Sequence, residues 1–250
     1  MQLAHRVGCD GGAWVEIQRK RALVERELQE LLRWLHSCSI RFLLLKGAAI
    51  EPLYGHAYLR QRNDTDLLVE TFDDYAAIVK FLEKKGYTFE YFPMFGQRQG
   101  RIVGVHKLAM KAADGICSFE VNIGGIQLGP LKWIEMSTLL QCARETSVNG
   151  IPVLVPSYTD MCCIAVGEAG TNERYRIRDI IDLLVLENLS DVDREELARK
   201  LTMYGLMQDY KALKRWHRQL LRRELQPDEL ENVDTRRSVQ GLRDRFARTY

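Results

Sequence analysis

Residues 41–70 read RFLLLKGAAIEPLYGHAYLRQRNDTDLLVE, and the order of residue types within them decides the fold. The apolar block in residues 41–46 (RFLLLK) is strand-sized and flanked by a glycine, which marks a short buried strand rather than a helix. Gly47 supplies the turn, and AAIEPLY reads as a short helix after it. Residues 55–63 form a loop that carries Arg60 and Arg62. The next strand, residues 64–70, opens with Asp64 and Asp66 and runs on through Leu67, Leu68 and Val69. Residues i and i+2 of a strand point to one face, so the two carboxylates project together at the mouth of a buried strand. Like charges so placed need a positive partner, and their hard oxygen atoms suit Mg2+. Alone, an Asp-x-Asp pair also describes a solvated strand end; the neighbours choose between the two.

Upstream, residues 14–37 carry Ile17, Val24, Leu28, Leu31, Leu32 and Leu35 at three- and four-residue intervals, the pattern of an amphipathic helix. Lys46 and Gly47, between strand and helix, suit a phosphate. Glycine admits close backbone approach, a helix start offers unpaired N–H groups, and the lysine adds a point charge. Downstream, Asp73 is the expected N-cap of a helix over 74–85, with Gly86 closing it. Extended segments follow at 87–92, 103–111 and 116–123, and Asp114-Gly115 marks a hairpin between the last two. Glu120 lies on that last strand between Phe119 and Val121 and faces away from both. A third carboxylate on a neighbouring strand would complete a two-metal site for in-line phosphoryl transfer.

The character changes near Gly129-Pro130, which places a first domain over 1–128 and a mainly helical second over 129–250. Residues 131–144 read as helix, and Asn149-Gly150 as the turn of a hairpin. Ser157 with Asp160 resembles a capping box. Helices are expected over 175–188, 192–204 and 207–223, before a polar tail from about Gln226. The fold class is α+β, a mixed sheet with flanking helices followed by a mostly helical half.

The 250 residues carry a net charge of +2, which argues against a dedicated nucleic-acid binder while allowing a local basic cleft. No segment has the apolar length of a membrane span or signal core. The six cysteines show neither a CxxC pair nor a disulfide framework, so they read as reduced thiols of a cytoplasmic protein. His106 shares a strand face with Leu108 and Met110 and reads as a packed histidine. Tyr87, Phe89 and Tyr91 alternate as a packing face. Residues 95–101 read as a glycine-bearing loop. Lys211, Lys214, Arg215, Arg218, Arg222 and Arg223 read as a solvated basic face on a late helix.

The stretch LLLKGAAIEPLYGHAYLRQRNDTDLLVE resembles the signature of uncharacterised-type nucleotidyltransferases of the DNA polymerase β-like superfamily. Those proteins show a K-G strand-to-helix turn, an arginine-bearing loop and then D-x-D-L-L-V. VPSYTDMCCIAVGEAG (155–170) and YRIRDIIDLLVLE (175–187) resemble the helical half of the same family, so the likeness spans roughly residues 20–190. It implies that Asp64 and Asp66 hold two divalent ions, Mg2+ or Mn2+. Glu120 would be the third ligand and the base for an acceptor hydroxyl. Lys46 and Gly47 would meet the triphosphate, and Arg60 or Arg62 would neutralise the leaving pyrophosphate. Arg178 and Asp182, four apart, would form an ordering ion pair. Two departures stand out: Lys46-Gly47-Ala48-Ala49 replaces the superfamily's Gly-Ser, and Glu120 with Asn122 replaces an Asp-x-His pattern. The implied activity is transfer of a nucleoside monophosphate from an NTP such as ATP to an acceptor, releasing pyrophosphate. The near-balanced charge favours a small molecule or peptide as acceptor, with tRNA as the alternative acceptor and a non-catalytic nucleotide-binding scaffold as the rival reading.

Overall fold

The computed structural model describes residues 11–54, 60, 62, 64–128, 132–171 and 176–222. The chain divides into two compact units, Met1–Gly125 with Glu135–Pro156, and Ile126–Ile134 with Ser157–Tyr250.

In the first unit, α1 (Gly11–Ser37) buries Leu23, Val24, Leu28, Leu31, Leu32 and Leu35 along one stripe. Each such side chain contributes roughly 1.5–3 kcal/mol. The strands are β1 (Phe42–Leu45), β2 (Asp64–Val69), β3 (Thr88–Phe89), β4 (Met94–Arg98), β5 (Arg101–Ala112) and β6 (Gly115–Ile123). They form a mixed sheet of order β1-β2-β6-β5-β3, with β4 also paired to β5. Only β2 and β6 run parallel; β1–β2 and β5–β6 are antiparallel. Between β1 and β2 lie α2 (Lys46–Ile50) and the 3-10 turn Glu51–Tyr54, and between β2 and β3 lies α3 (Phe72–Lys84). Helices α1 and α3 pack on one face of the sheet, the face that carries Leu67, Val69, Phe119, Val121 and Leu108, all buried. Alternation then turns Asp64, Asp66, Glu120 and Lys107 to the opposite face.

Three expectations change in this unit. The cap of α3 is Thr71, whose side chain accepts from the Asp74 backbone N–H. Asp73 lies inside the first turn instead, where a carboxylate meets the positive end of the helix. Residues 95–101 are not a plain connection: β4 and β5 form a hairpin closed at Arg98 and Arg101. Gln99 and Gly100 both have positive φ there, the backbone of a tight two-residue turn. Residues 131–144 are partly extended, because β8 (Trp133–Glu135), the strand after β7 (Gly125–Gln127), precedes a short α4 (Met136–Gln141). The β9–β10 hairpin (Arg144–Val148, Ile151–Val155) turns at Asn149-Gly150, both at positive φ, and β10 packs on β1.

The second unit holds α5 (Tyr158–Gly170), α6 (Ile177–Glu187), α7 (Arg194–Met203) and α8 (Met207–Arg222). Ser157 caps α5, accepting from the Asp160 N–H at 3.1 Å and donating to its carboxylate at 2.7 Å. Helix α8 packs on α5, α6 and α7. The expected tail beyond Arg222 lies outside the described residues. No helix among the described residues is long and apolar enough to cross a membrane.

Candidate active site

The polar face of the first unit's sheet gathers the chemistry. Strand β1 ends where β2 begins, so Leu45 pairs with Asp66 and the next residue, Lys46, stands beside the acidic start of β2. Parallel pairing sets Asp66 beside Glu120, and the β5–β6 hairpin sets Glu120 beside Lys107. The sheet register thus lays Lys46, Asp66, Glu120 and Lys107 in a row, with Asp64 two residues from Asp66 on the same face.

Two lysines hold this row. The Lys46 ammonium lies 2.8 Å from Asp66 Oδ1 and 2.8 Å from Glu120 Oε1. Lys107 Nζ lies 3.5 Å from Asp64 Oδ2 and 3.4 Å from Glu90 Oε2. Asp66 is buried, Glu120 and Lys46 are partly covered, and Asp64 is 41 % exposed. Burial pushes Asp66 well above the ordinary carboxylate range; Lys46 opposes this, while the negative charges of Glu120 and Asp64 add to it. Burial also pushes Glu120 upward, but Lys46 and a hydrogen bond from Asp66 outweigh it and leave that group more acidic than usual. Two adjoining carboxylates so placed are driven apart in pKa, Asp66 upward and Glu120 downward. Burial alone would lower Lys107, yet Asp64, Glu90 and Glu120 hold it charged.

Lys46 adopts φ +47, a left-handed backbone that costs an ordinary residue on the order of 1–2 kcal/mol and that clusters at functional positions. Gly47 has a local reason to be glycine: a Cβ there would lie 3.2 Å from Arg60 Nη1 and 3.3 Å from Nη2. The space beside the β1–α2 turn is therefore filled by the Arg60 guanidinium. Arg62 is used differently. Its Nη1 lies 3.3 Å from Glu51 Oε2, and Arg21 Nη2 reaches the other Glu51 oxygen at 2.6 Å. That carboxylate anchors two guanidiniums inside the unit.

Asp64, Asp66 and Glu120 are hard oxygen donors, and a cation already bridges two of them, so their chemistry fits a divalent ion. Among the described residues, however, no three His, Cys, Asp or Glu side chains converge as a ready-made metal cage. The lysines stand between the carboxylates.

Lys107 and Tyr91 escape a reading of the sequence. Lys107 had a usable signal: it alternates with His106, Leu108 and Met110, so it must face away from the core. Tyr91 had none, because it follows the two-residue β3 rather than continuing it. Burial, then the Glu120 charge, raises its phenol. Tyr87 and Phe89 do pack, against Phe119 and His106 respectively. His106 is fully buried with Nδ1 2.7 Å from the Tyr75 hydroxyl, and burial depresses it to about 4. In the second unit, Arg178 and Asp182 lie on α6, and Tyr210, Lys211, Lys214 and Arg218 line a shallow groove of about 350 Å3 on α8.

Residues 12–221 match the profile of a family described as uncharacterised nucleotidyltransferase. No curated protein matches the sequence. Among solved structures, the chain is similar to the antibiotic-resistance factor ANT(2'')-Ia, at 14 % identity and TM-score 0.48, covering 79 % of this chain and 98 % of that one. An antigenic nucleotidyltransferase-like protein from Paracoccidioides brasiliensis is 20 % identical at TM-score 0.41, covering 79 % and 93 %. JHP933 from Helicobacter pylori is 16 % identical at TM-score 0.39, covering 81 % and 80 %.

Proposed function

This chain belongs to the uncharacterised nucleotidyltransferase family, and we propose that it transfers a nucleoside monophosphate from an NTP to an acceptor hydroxyl, releasing pyrophosphate. The observation that carries this reading is the register-fixed trio: Asp66 directly beside Glu120 on parallel strands, Asp64 on the same face, and Lys46 bridging the pair. Asp64, Asp66 and Glu120 would hold divalent Mg2+ or Mn2+, which would neutralise charge on the reacting phosphates.

The chain's own residues do the rest. Lys46, on a flexible stem at the end of β1, reaches triphosphate oxygens as a point charge. Arg60, packed over Gly47, adds positive charge at the same turn. Arg62 is paired with Glu51 and so would not meet the phosphates. Glu120, kept ionised beside Lys46, accepts the acceptor's proton. Lys107, on β5 beside Glu120, would meet the acceptor, and Tyr91, whose phenol feels the charges of Glu120 and Lys46, would border the same pair. Positioning and charge neutralisation supply most of the rate in such a transfer. The net charge of +2 favours a small molecule or peptide as acceptor over tRNA. A cytoplasmic location agrees with the cysteine pattern.

Equilibrium dialysis tests the reading. With Mg2+ or Mn2+, the wild type should bind at least one of ATP, GTP, CTP and UTP, and Asp66→Ala should bind none. Failure of all four with the wild type would remove the enzyme reading.

A further inference from the structure

We propose that Lys46 is a positioning residue that exchanges partners: its ammonium holds the Asp66–Glu120 pair, and a bound triphosphate draws it away, so metal and nucleotide enter together. This rests on the nucleotidyl-transfer reading and adds an order of events to it.

The geometry requires some such exchange. Lys46 Nζ lies 2.8 Å from one oxygen of each carboxylate, between the two groups that a divalent cation would use. A cation bridging Asp66 and Glu120 must take the ammonium's place. Displacing it alone is unfavourable, because charge-assisted hydrogen bonds to buried carboxylates are among the stronger ones in a protein, and the displaced ammonium would need a new anion. The triphosphate is that anion. Lys46 sits at the β1–α2 turn where Gly47 and Arg60 meet, and its unbranched stem can swing where an arginine's planar fork would stay fixed. Its left-handed backbone is a strain that local structure maintains, as expected of a residue placed for a task. Lys107 cannot do the same job: its contacts are with Asp64 and Glu90, at 3.5 and 3.4 Å, and not between the central pair. The consequence is a site that responds weakly to a divalent ion by itself and strongly to the ion with a nucleotide.

The test reads Mn2+ binding from the loss of the free-ion electron paramagnetic resonance signal, with no turnover needed. Without nucleotide, Lys46→Gly should bind Mn2+ at least about 10-fold more tightly than wild type, the equivalent of losing one charge-assisted contact. Glycine accepts the positive φ, so this variant should fold; Lys46→Asn, which also tolerates that backbone, is the second choice. Lys46→Arg keeps the charge and should bind Mn2+ as weakly as wild type. The wild type itself gives a variant-free readout: protein-bound Mn2+, separated from Mn2+ held by free nucleotide with a nucleotide-only control, should rise when the NTP it binds is added. Equal Mn2+ affinity for wild type and Lys46→Gly, or tight Mn2+ binding by the wild type with no nucleotide, would overturn the exchange. Binding of no NTP by the wild type with Mn2+ would instead overturn the enzyme reading.

Discussion

Each unit of this protein contains a lysine held by carboxylates, and the two arrangements differ in what they leave over. In the second unit Lys200 Nζ lies 2.5 Å from Asp160 Oδ1 and 3.7 Å from Glu196 Oε1. Asp160 has no solvent exposure and also receives the Ser157 hydroxyl, which caps α5. Its oxygens are taken up by local structure. In the first unit Lys46 serves Asp66 and Glu120 at once, and Asp64 stands on the same face partly exposed. Lys46 is shared between two carboxylates, and Lys107 reaches Asp64 only at 3.5 Å while also serving Glu90, so Asp64 keeps an exposed side at the start of its strand. A closed ion pair like that of Lys200 fixes structure; one with shared cations and a partly exposed carboxylate is suited to recruiting further cations.

That contrast is broken most sharply by Asp66→Asn. Turnover should fall by about 10^3-fold or more if, as proposed, Asp66 holds a metal ion at the reacting phosphates. The melting temperature should hold or rise. Asp66 has a raised pKa in the folded protein, chiefly because it is buried, so the folded protein binds this proton more tightly than the unfolded chain. Stability contributed by that proton is present below the unfolded value and is lost as pH rises through the folded one. Above the folded value the ionised group is a burden that asparagine removes. A drop in melting temperature would place this cluster in the same class as Asp160.

The opposite result belongs to Lys200→Met, which leaves Asp160 buried without its cation and should cost about 3–5 kcal/mol of stability, measured by urea unfolding. Turnover per folded molecule should be unchanged. Arg62→Met comes next: it should cost about 1–3 kcal/mol by leaving Glu51 with Arg21 alone, with nucleotide affinity unaltered in dialysis, whereas Arg60→Met should weaken nucleotide binding.

The smallest effect lies in alkali. Burial disfavours charged Lys200, but Asp160 and Glu196 more than offset it and raise its pKa. The folded protein then holds a proton that the unfolded chain has released, and stability falls as pH rises from about 10.4, the free lysine value, through the folded one. Unfolding free energies across that window should decline more steeply for wild type than for Lys200→Met.

Much of this was legible in the sequence because strand alternation is a local rule. Asp64 and Asp66 share a face by parity, Glu120 opposes Phe119 and Val121 for the same reason, and Asn149-Gly150 announces its turn. Register is not local. That Glu120 lies beside Asp66 depends on β2 pairing parallel with β6, and that Lys107 lies beside Glu120 depends on where the β5–β6 hairpin turns. It closes at Ala112 and Gly115, so Ala113-Asp114 forms the turn in place of Asp114-Gly115. Gln99-Gly100 does not announce its turn, because glutamine is an unusual residue at positive φ, and β4 is hidden with it. Gly47 was legible as a special position, but its occupant, the Arg60 guanidinium, comes from a loop whose path no pattern reveals. Lys46 was assigned to phosphate from its neighbour Gly47; nothing local indicated that it bridges two carboxylates on other strands.

Transfer itself is the most direct test. The protein is incubated with each α-32P-labelled NTP, Mg2+ and a cell extract, and the label is resolved into small-molecule, peptide or protein, and RNA fractions. Label should move from one NTP into one acceptor fraction with the wild type, and remain in the NTP with Asp66→Asn. Equal transfer by wild type and Asp66→Asn, or none by the wild type from any of the four NTPs, would contradict the assignment of Asp64, Asp66 and Glu120 as a nucleotidyl-transfer site.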